Sequence, residues 1–286
     1  MLRVAVPNKG GLAEPAAQIL REAGYRQRAE SKELAFTDVD NQIEFYYLRP
    51  RDIAVYVGRG ALDVGITGRD LLLDSSAPAE EVMGLGFGRS AFRIAGRPGA
   101  VSVPATSDDF EALRGIRIAT SYEGLMRRFL TERGISAEIT KLDGAVENAV
   151  RLGVADVIAD VVETGDTLRR NGLELIGDPI LESEAVLIRR GTADPDPLDQ
   201  LHRRLKGVLL ARTYVMMDYD IPSDNIERAS QIAPGLEGPT ISPLHREGWV
   251  AVRVMVERKD AQRLMDELWE VGARAILVTD IHACRL

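Results

Sequence analysis

The sequence predicts an α/β fold with two similar lobes and a smaller C-terminal domain of the split βαβ type. Apolar runs of strand length alternate with stretches of helical spacing through residues 1–190, which is typical of largely parallel α/β sheets. The motif Gly-x-x-Asp-Val occurs at 60–64 and again at 153–157, which indicates a repeated lobe. After residue 205 the order becomes strand, helix, two strands, helix and strand, the order of a ferredoxin-like module.

These patterns predict the domain boundaries. Lobe I is expected to comprise residues 1–89 and 184–205, because the apolar run at 184–190 is expected to return to the first sheet. Lobe II is expected at 90–183 and the C-terminal domain at 206–286. The two lobes should enclose a cleft, where loops at the carboxyl ends of the strands meet a ligand.

Each lobe is predicted from its own run of elements. In lobe I the helix at 12–23 carries apolar residues on one face, and the short helix at 51–57 begins after Pro50. In lobe II the helix at 123–133 ends at Gly134. The remaining elements expected in these lobes are strands at 2–6, 43–48, 64–67, 116–119, 137–142, 157–161 and 184–190 and a helix at 145–152.

The C-terminal domain is predicted after a linker at 191–198, which contains Pro195 and Pro197. Valine alternates along the run at 249–257, which is typical of a strand with one buried face. The other elements expected here are strands at 208–218, 240–243 and 275–280 and helices at 223–232 and 260–271.

Composition excludes several classes of protein. Lys plus Arg is 36 and Asp plus Glu is 44, a net charge of −8 spread along the chain, which disfavours binding to nucleic acid. Cys284 is the single cysteine, so no internal disulfide is expected. No run approaches the ~18 apolar residues of a membrane span. The N-terminus is too polar for a signal peptide, so a cytoplasmic protein that binds no membrane is expected.

Two sets of motifs in lobe I have alternative interpretations. The loop Pro7-Asn8-Lys9-Gly10-Gly11 joins a strand to a helix, where backbone amides and an ammonium group can receive an anion, or it is only a turn. It matches neither a Walker loop nor a dinucleotide fingerprint. Arg49-Pro50-Arg51-Asp52 and Gly68-Arg69-Asp70 place charges at element ends, where they bind a ligand or form surface ion pairs.

The strongest motif lies in lobe II. Asp143-Gly144-Ala145-Val146-Glu147 places two carboxylates around a glycine turn that opens a helix, so its amides can bind a phosphate while a carboxylate reaches ribose hydroxyls or Mg²⁺. The alternative is an ordinary helix cap by Asp143. Asp160, Glu163, Thr164 and Thr167 then surround the end of a strand. Together these residues predict a sugar-phosphate site.

This segment resembles the signature of the ATP phosphoribosyltransferase family. The segments VPNKG, LRPRDIAVYVG and GITGRD are also similar to that family, so the resemblance spans the chain. The signature is matched at Glu147, Gly153, Ala155, Ile158, Asp160, Val161, Thr164, Gly165, Thr167 and Leu168.

The resemblance implies that ATP and phosphoribosyl pyrophosphate condense to phosphoribosyl-ATP and pyrophosphate, with Mg²⁺ required and no side chain assigned as acid or base. By the same resemblance, residues 143–147 with Asp160 and Thr164 bind phosphoribosyl pyrophosphate, and Asp160 with Glu163 hold the metal. ATP, and AMP as a competing inhibitor, are expected at Lys9, Gly10, Arg49, Arg69, Asp70 and Leu71.

The C-terminal domain resembles the regulatory domain of the long form of that family, in which histidine is a feedback inhibitor. The short form lacks it and works with a separate synthetase-like subunit. Histidine is expected at Asp218, Leu236, Thr240 and Ala273, with Asp220 as the alternative to Asp218. The resemblance also implies a homo-oligomer, with dimers assembling into a hexamer.

Two binding functions remain as alternatives. Two α/β lobes around a cleft form a periplasmic-binding-protein-like core, and solute-binding proteins share that architecture. Such a binder is expected to carry a signal peptide, and no such segment is recognised. An effector-binding module of a transcription regulator needs a DNA-binding element, and the sequence shows no basic helix-turn-helix.

Overall fold

A computed structural model gives the fold of residues 1–29, 32–101, 108–191 and 195–285. The strands are β1 (Leu2–Pro7), β2 (Ala35–Asp38), β3 (Ile43–Leu48), β4 (Val64–Gly68), β5 (Ala79–Gly84), β6 (Ser90–Gly96), β7 (Arg117–Thr120), β8 (Glu138–Lys141), β9 (Val157–Val162), β10 (Glu174–Ser183), β11 (Ala185–Arg190), β12 (Tyr214–Pro222), β13 (Thr240–Pro243), β14 (Trp249–Glu257) and β15 (Arg274–Asp280). The helices are α1 (Ala13–Glu22), α2 (Pro50–Gly58), α3 (Arg69–Ser75), α4 (Glu123–Arg133), α5 (Glu147–Arg151), α6 (Asp166–Arg170), α7 (Pro195–Thr213), α8 (Ile226–Ile232) and α9 (Ala261–Glu270).

The chain divides into two compact units. The first comprises Met1–Arg21 and Tyr25–Leu198, and the second comprises Glu22–Gly24 and Asp199–Leu286. The first unit contains two sheets and the second contains one.

The first sheet has the strand order β2-β3-β1-β4-β11-β5. Strand β1 is parallel to β3 and β4, whereas β11 is antiparallel to β4 and β5, so the last strand of this sheet comes from much later in the chain. Helix α2 covers one face with the fully buried Ile53 and Val57. Gly65 of β4 lies beneath them, and a Cβ there would overlap with Ile53.

The second sheet has the strand order β10-β6-β9-β7-β8. Strand β7 is parallel to β8 and β9, and β6 is antiparallel to β9 and β10. Helix α4 buries Met126 and Phe129 against Ile118 of this sheet. Gly134 ends α4 in the left-handed conformation, as predicted.

The second unit contains an antiparallel sheet with the order β13-β14-β12-β15. Alternate residues of β12 and β14 point inward, and α8 and α9 contribute to the same core. The fully buried Tyr219 and Leu268 lie in this core. The expected fold class, a periplasmic-binding-protein-like α/β core with a C-terminal split βαβ module, is confirmed.

The predictions around the linker are wrong. Residues 192–194 lie outside the described residues, and from Pro195 the chain is helical, because proline is compatible with the first turn of a helix. The strand predicted at 208–218 begins only at Tyr214. Leu201, Leu205 and Val208 are buried at helical spacing, so residues 208–213 extend α7.

Several short elements were not predicted. Helices α3 and α6 contain 7 and 5 residues, which is too short for a hydrophobic repeat to be recognised in sequence. Strands β2, β5, β6 and β10 were also not predicted. The two short helices follow β4 and β9, at the edges where the candidate site lies.

We expect Tyr219→Phe to stabilise the second unit. The Tyr219 hydroxyl is buried without a hydrogen-bond partner among the described residues, and burial raises its pKa to about 12. Removing an unpaired buried hydroxyl should raise the free energy of unfolding by about 1 kcal/mol. Trp249 and Trp269, the two tryptophans of the chain, lie in this unit, so urea unfolding followed by tryptophan fluorescence measures the change.

Tyr47→Phe is the matched control. The Tyr47 hydroxyl accepts a hydrogen bond from the Arg28 amide at 3.1 Å and donates one to Gln27 Oε1 at 3.2 Å. Its removal should lower stability by about 1 kcal/mol, as measured by circular dichroism. A loss of stability in Tyr219→Phe comparable to that in the control would contradict the assignment.

Candidate functional site

Two adjoining cavities in the first unit contain most of the predicted site residues. The carboxylate cavity has a volume of about 320 Å³ and lies at the end of β9 and the start of α6. The middle cavity, of about 220 Å³, is lined by residues from both sheets of the unit. Val161 and Glu163 line both, so the two cavities adjoin.

The carboxylate cavity brings together the acidic residues of the predicted sugar-phosphate site. Glu147, Asp160 and Glu163 line it, along with Thr164 and Thr167. Burial raises the pKa of Asp160, and the nearby charges of Glu147 and Asp70 act in the same direction, against the Val161 amide bonded to its Oδ1 at 2.8 Å and against Arg51. The cavity is therefore strongly acidic and suited to a cation or a group that develops positive charge.

The loop before α5 presents free backbone amides. Gly144 has a φ of 151° and Ala145 a φ of 48°, so the turn needs a glycine and strains an alanine. The amides of Gly144, Ala145 and Val146 donate to no acceptor within the described part of the chain. The Val146 side chain is buried, so this residue offers a ligand only its backbone, whereas Asp143 is exposed.

The middle cavity contains four of the six residues predicted for the nucleotide. Lys9, Gly10, Asp70 and Leu71 line it. Asp70 is buried and fixed by Ser183, whose hydroxyl donates to Asp70 Oδ1 at 2.7 Å and accepts from the Asp70 amide at 3.0 Å. The loop at residues 7–11, which was expected to receive an anion, therefore lines a cavity.

Tyr122 was missed by the sequence analysis. It lies just after β7 and lines the middle cavity together with Asp70, whose charge acts on its hydroxyl. Burial, with the charge of Asp70, raises the Tyr122 pKa well above its usual range, and the Arg51 guanidinium lies 4.8 Å from the ring centre. Its position at the carboxyl end of a parallel strand was the signal that could have identified it.

The structure places two predicted arginines away from these cavities. Arg49 is exposed at the start of α2 and lines neither cavity. Arg69 forms two short contacts with the Glu81 carboxylate, at 2.7 and 2.9 Å, and a third with Glu184 at 3.4 Å. In this structure the Arg69 side chain therefore forms ion pairs between elements, which was the alternative to binding a ligand.

A magnesium ion fits the carboxylate cavity only together with a substrate. Among the described residues no group of three or more His, Cys, Asp or Glu side chains is arranged to hold a metal. Mg²⁺ commonly binds one or two carboxylates plus substrate phosphates and water. Asp160 and Glu163 line the cavity and match that donor set.

The second unit contains a cavity of its own, of about 190 Å³. Leu236 and Thr240, two of the residues predicted to bind histidine, line it. Asp218 pairs with Arg253, which also lines the cavity, at 2.7 Å. Ala273 is fully buried in the core of the unit and does not line the cavity.

Comparisons with known proteins match the whole chain. The family model described as ATP phosphoribosyltransferase matches residues 49–207, and the model described as the HisG C-terminal domain matches residues 211–283. The ATP phosphoribosyltransferase of Streptomyces coelicolor is 60% identical over 291 residues, and that of Salinispora tropica is 62% identical over 287 residues; each alignment covers 100% of both proteins.

A solved structure agrees with these relatives. The ATP phosphoribosyl transferase (HisG:HisZ) complex from Thermotoga maritima aligns with a TM-score of 0.61 at 27% identity, covering 72% of this chain and 97% of that chain. Separately, none of the helices within the described ranges combines the length and apolar character needed to cross a bilayer.

We expect Asp160→Asn to raise the melting temperature at pH 7. Because the folded-state pKa of Asp160 is raised above its usual 3.8, the ionised carboxylate costs stability above the folded-state pKa, and that cost disappears below 3.8. The difference in melting temperature between variant and parent should therefore vanish as the pH falls toward 3.8, in thermal scans from pH 7 to pH 3.5.

Asp156→Asn should behave in the opposite way. The Arg117 guanidinium, bonded to the Asp156 carboxylate at 2.7 Å, lowers the pKa of Asp156, so the ionised form stabilises the fold. This variant should melt below the parent at pH 7 and approach it in acid. If both variants shift the melting temperature in the same direction at pH 7, the electrostatic assignment of Asp160 is wrong.

Proposed function

Because this chain belongs to the ATP phosphoribosyltransferase family, we propose an assignment of its cavities to the two substrates of that enzyme. The enzyme transfers the 5-phosphoribosyl group from phosphoribosyl pyrophosphate to N1 of ATP, forming phosphoribosyl-ATP and pyrophosphate in the first step of histidine biosynthesis. The residues Val161 and Glu163, which line both the carboxylate and the middle cavity, support the assignment, because two substrates that react must occupy adjoining sites. The proposal includes three domains: lobe I at residues 1–89 and 184–205, lobe II at residues 90–183 and the C-terminal domain at residues 206–286.

Phosphoribosyl pyrophosphate binds in the carboxylate cavity. The free amides of the loop at 143–147 receive the 5-phosphate, and Glu147 and Asp160 accept hydrogen bonds from the ribose hydroxyls. Thr164, at the other side of the cavity, adds a hydroxyl donor. This arrangement directs the anomeric carbon toward the middle cavity.

The adenine of ATP lies in the middle cavity, which Asp70, Leu71 and Tyr122 line. Lys9 and Gly10 contact the nucleotide at the loop before α1. AMP has the same base and ribose, so we place its inhibitory site here. Arg49 and Arg69 stay in this proposal as residues that reach a nucleotide only if their side chains move.

The reaction needs no general base to begin, because adenine N1 has a lone pair that attacks the anomeric carbon directly. Positioning the two reacting atoms and stabilising charge are therefore the main contributions of the protein. Asp160 and Glu147 stabilise the positive charge that develops on the ribose, and the Lys9 ammonium stabilises the departing pyrophosphate.

We place Mg²⁺ at Asp160 and Glu163, where it would enter with the pyrophosphate of the substrate. When bound there, it supplies positive charge that stabilises the leaving group. The two carboxylates would hold and orient it, and a bound cation would favour the ionised form of Asp160, whose pKa is raised by burial.

A spectroscopic assay tests the function. The adduct of ATP and phosphoribosyl pyrophosphate absorbs in the near ultraviolet, where neither substrate does. Mixing both with the full chain and Mg²⁺ should produce this absorbance, whereas a solute-binding protein of similar architecture would give none.

Regulation by histidine is assigned to the cavity of the second unit. Thr240 and the backbone of the turn at Leu236 and Gly238 offer hydrogen bonds, and Asp218 can accept from the amino group of histidine once it exchanges Arg253 for the ligand. Ala273 stays in this proposal as a buried residue directly before β15, outside the cavity lining. We further propose a homo-oligomer of dimers forming a hexamer, acting in the cytoplasm.

We predict that Gly144→Val weakens phosphoribosyl pyrophosphate binding. A Cβ at Gly144 meets nothing within 4 Å in this structure, but a φ of 151° disfavours valine, so the loop amides should be displaced without loss of the fold. The apparent KM should rise about tenfold or more, as for one lost charge-assisted hydrogen bond. Steady-state kinetics at saturating ATP measures it.

Gly115→Val is the control for backbone strain. Gly115 also has a positive φ, 76°, and open space around it, but it precedes β7 at the opposite end of the strand from the site. Its KM should match that of the parent. An unchanged KM in a folded Gly144→Val enzyme would refute the role of the loop.

We predict that Thr240→Gln abolishes inhibition by histidine, because the larger side chain fills the cavity of the second unit. The coupling between the sites is expected to be about 1 to 3 kcal/mol, which is roughly a 5- to 150-fold change in affinity. Ser242→Gln, on the same strand but outside the cavity lining, should remain sensitive to histidine. AMP inhibition should persist in both variants. Parental histidine inhibition of a folded Thr240→Gln enzyme would overturn the site.

A further inference from the structure

A third cavity adjoins the middle cavity and has no role in the proposed function. It has a volume of about 390 Å³ and shares Gly10 with the middle cavity. We call it the arginine cavity and define it by the residues that bear on its chemistry: Asn8, Gly10, Glu14, Arg21, Arg28 and Tyr47. It shares no lining residue with the carboxylate cavity.

The arginine cavity carries an excess of positive charge. Arg21 pairs with Glu14 at 2.5 Å, and both side chains are largely exposed. Arg28 has no carboxylate within ion-pair distance among the described residues; its guanidinium lies 3.9 Å from the centre of the Tyr47 ring and donates to the Glu33 carbonyl. Tyr47 thus holds a planar cation that has no carboxylate partner among the described residues, which suits a phosphate group.

The floor of the cavity has polar groups without partners. Asn8 Oδ1 is buried and accepts no hydrogen bond within the part of the chain that the structure describes. The amide of Gly10, an exposed residue, donates to no protein acceptor there and is open to a ligand. Buried polar groups are almost always paired in native proteins, so the Asn8 oxygen indicates a donor on the ligand, while the Gly10 amide needs an acceptor. A phosphate next to a ribose hydroxyl has both properties.

We propose that the arginine cavity binds a polyphosphate group of a substrate. The inference rests on the proposed function, because adenine N1 must meet the anomeric carbon where the carboxylate and middle cavities join. A nucleotide whose base lies in the middle cavity and whose ribose 5-position points away from the carboxylates directs its β- and γ-phosphates past Gly10 to Arg28 and Arg21. The pyrophosphate of the other substrate has the same chemistry and is the second possible source.

Calorimetric titration of the full chain with ATP, AMP and phosphoribosyl pyrophosphate tests this proposal. Arg28→Gln and Arg21→Ala should each weaken ATP binding by about tenfold, the effect of losing one charge-assisted contact, while AMP binding should stay within about twofold of the parent. Arg28→Gln removes the charge but keeps most of the stem on Tyr47. The variant that combines Arg28→Gln with Arg21→Ala tests whether either arginine alone is enough to bind the phosphates.

Arg26→Ala is the matched control. Arg26 is a neighbour in sequence, pairs with Asp40 at 2.7 Å on the surface and does not line the cavity. It should bind all three ligands like the parent, and thermal melts should show that every variant is folded.

The ligand that loses affinity identifies the source. A loss for ATP alone assigns the nucleotide's terminal phosphates, and a loss for phosphoribosyl pyrophosphate alone assigns its pyrophosphate; both support a polyphosphate site. Unchanged affinities in the folded combined variant, or an equal loss for AMP and ATP, would overturn it. If the parent protein forms no phosphoribosyl-ATP, the proposed function is wrong. That outcome concerns the activity of the parent and is distinct from the changes in affinity of the variants.

Discussion

The contact between α3 and α4 is the constraint on which the cavities depend, because it joins an element of the first sheet to one of the second. Asp74 at the end of α3 accepts the Leu125 amide on Oδ1 at 3.1 Å and the Arg51 guanidinium on Oδ2 at 2.6 Å. Gly124 permits this approach, since a Cβ there would overlap with the Asp74 carbonyl. One carboxylate therefore satisfies an orphan amide of α4 and fixes Arg51 beside the Tyr122 ring.

Negative and positive side chains are distributed unevenly over the carboxylate, middle and arginine cavities. Burial raises the pKa of Asp160, and the negative charges of Glu147 and Asp70 nearby raise it further. Arg51 offsets part of this charge, and the arginine cavity adjoins the middle cavity at Gly10. Two polyanionic substrates that react through a positively charged centre fit such a distribution, because the centre meets carboxylates while the phosphates extend toward amides and cations.

Sequence patterns predicted the long amphipathic and alternating elements well and the short ones poorly. The strands at 43–48, 240–243 and 249–257 and the helix at 123–133 have the observed bounds, since each contains a clear apolar repeat. The strand expected at 208–218 failed because a continuous apolar run is compatible with either a strand or a buried helix. Val208 lies on the same buried stripe of α7 as Leu201 and Leu205, a fact that depends on what packs against the helix.

The sequence alone determined the fold class and the family, and it predicted the chemical nature of the site, because signature residues and hydrophobic periodicity are local properties of the chain. Glu147, Asp160, Glu163, Thr164, Lys9 and Asp70 were all identified in this way. Only the tertiary structure decided which side chains share a cavity. It paired Arg69 with Glu81, fixed Asp70 through Ser183, 113 positions away, and placed Tyr122 opposite Asp70. The contacts of Asp70 with Ser183 and Tyr122 join elements of the two sheets and depend on the packing of α3 against α4, which no local pattern specifies.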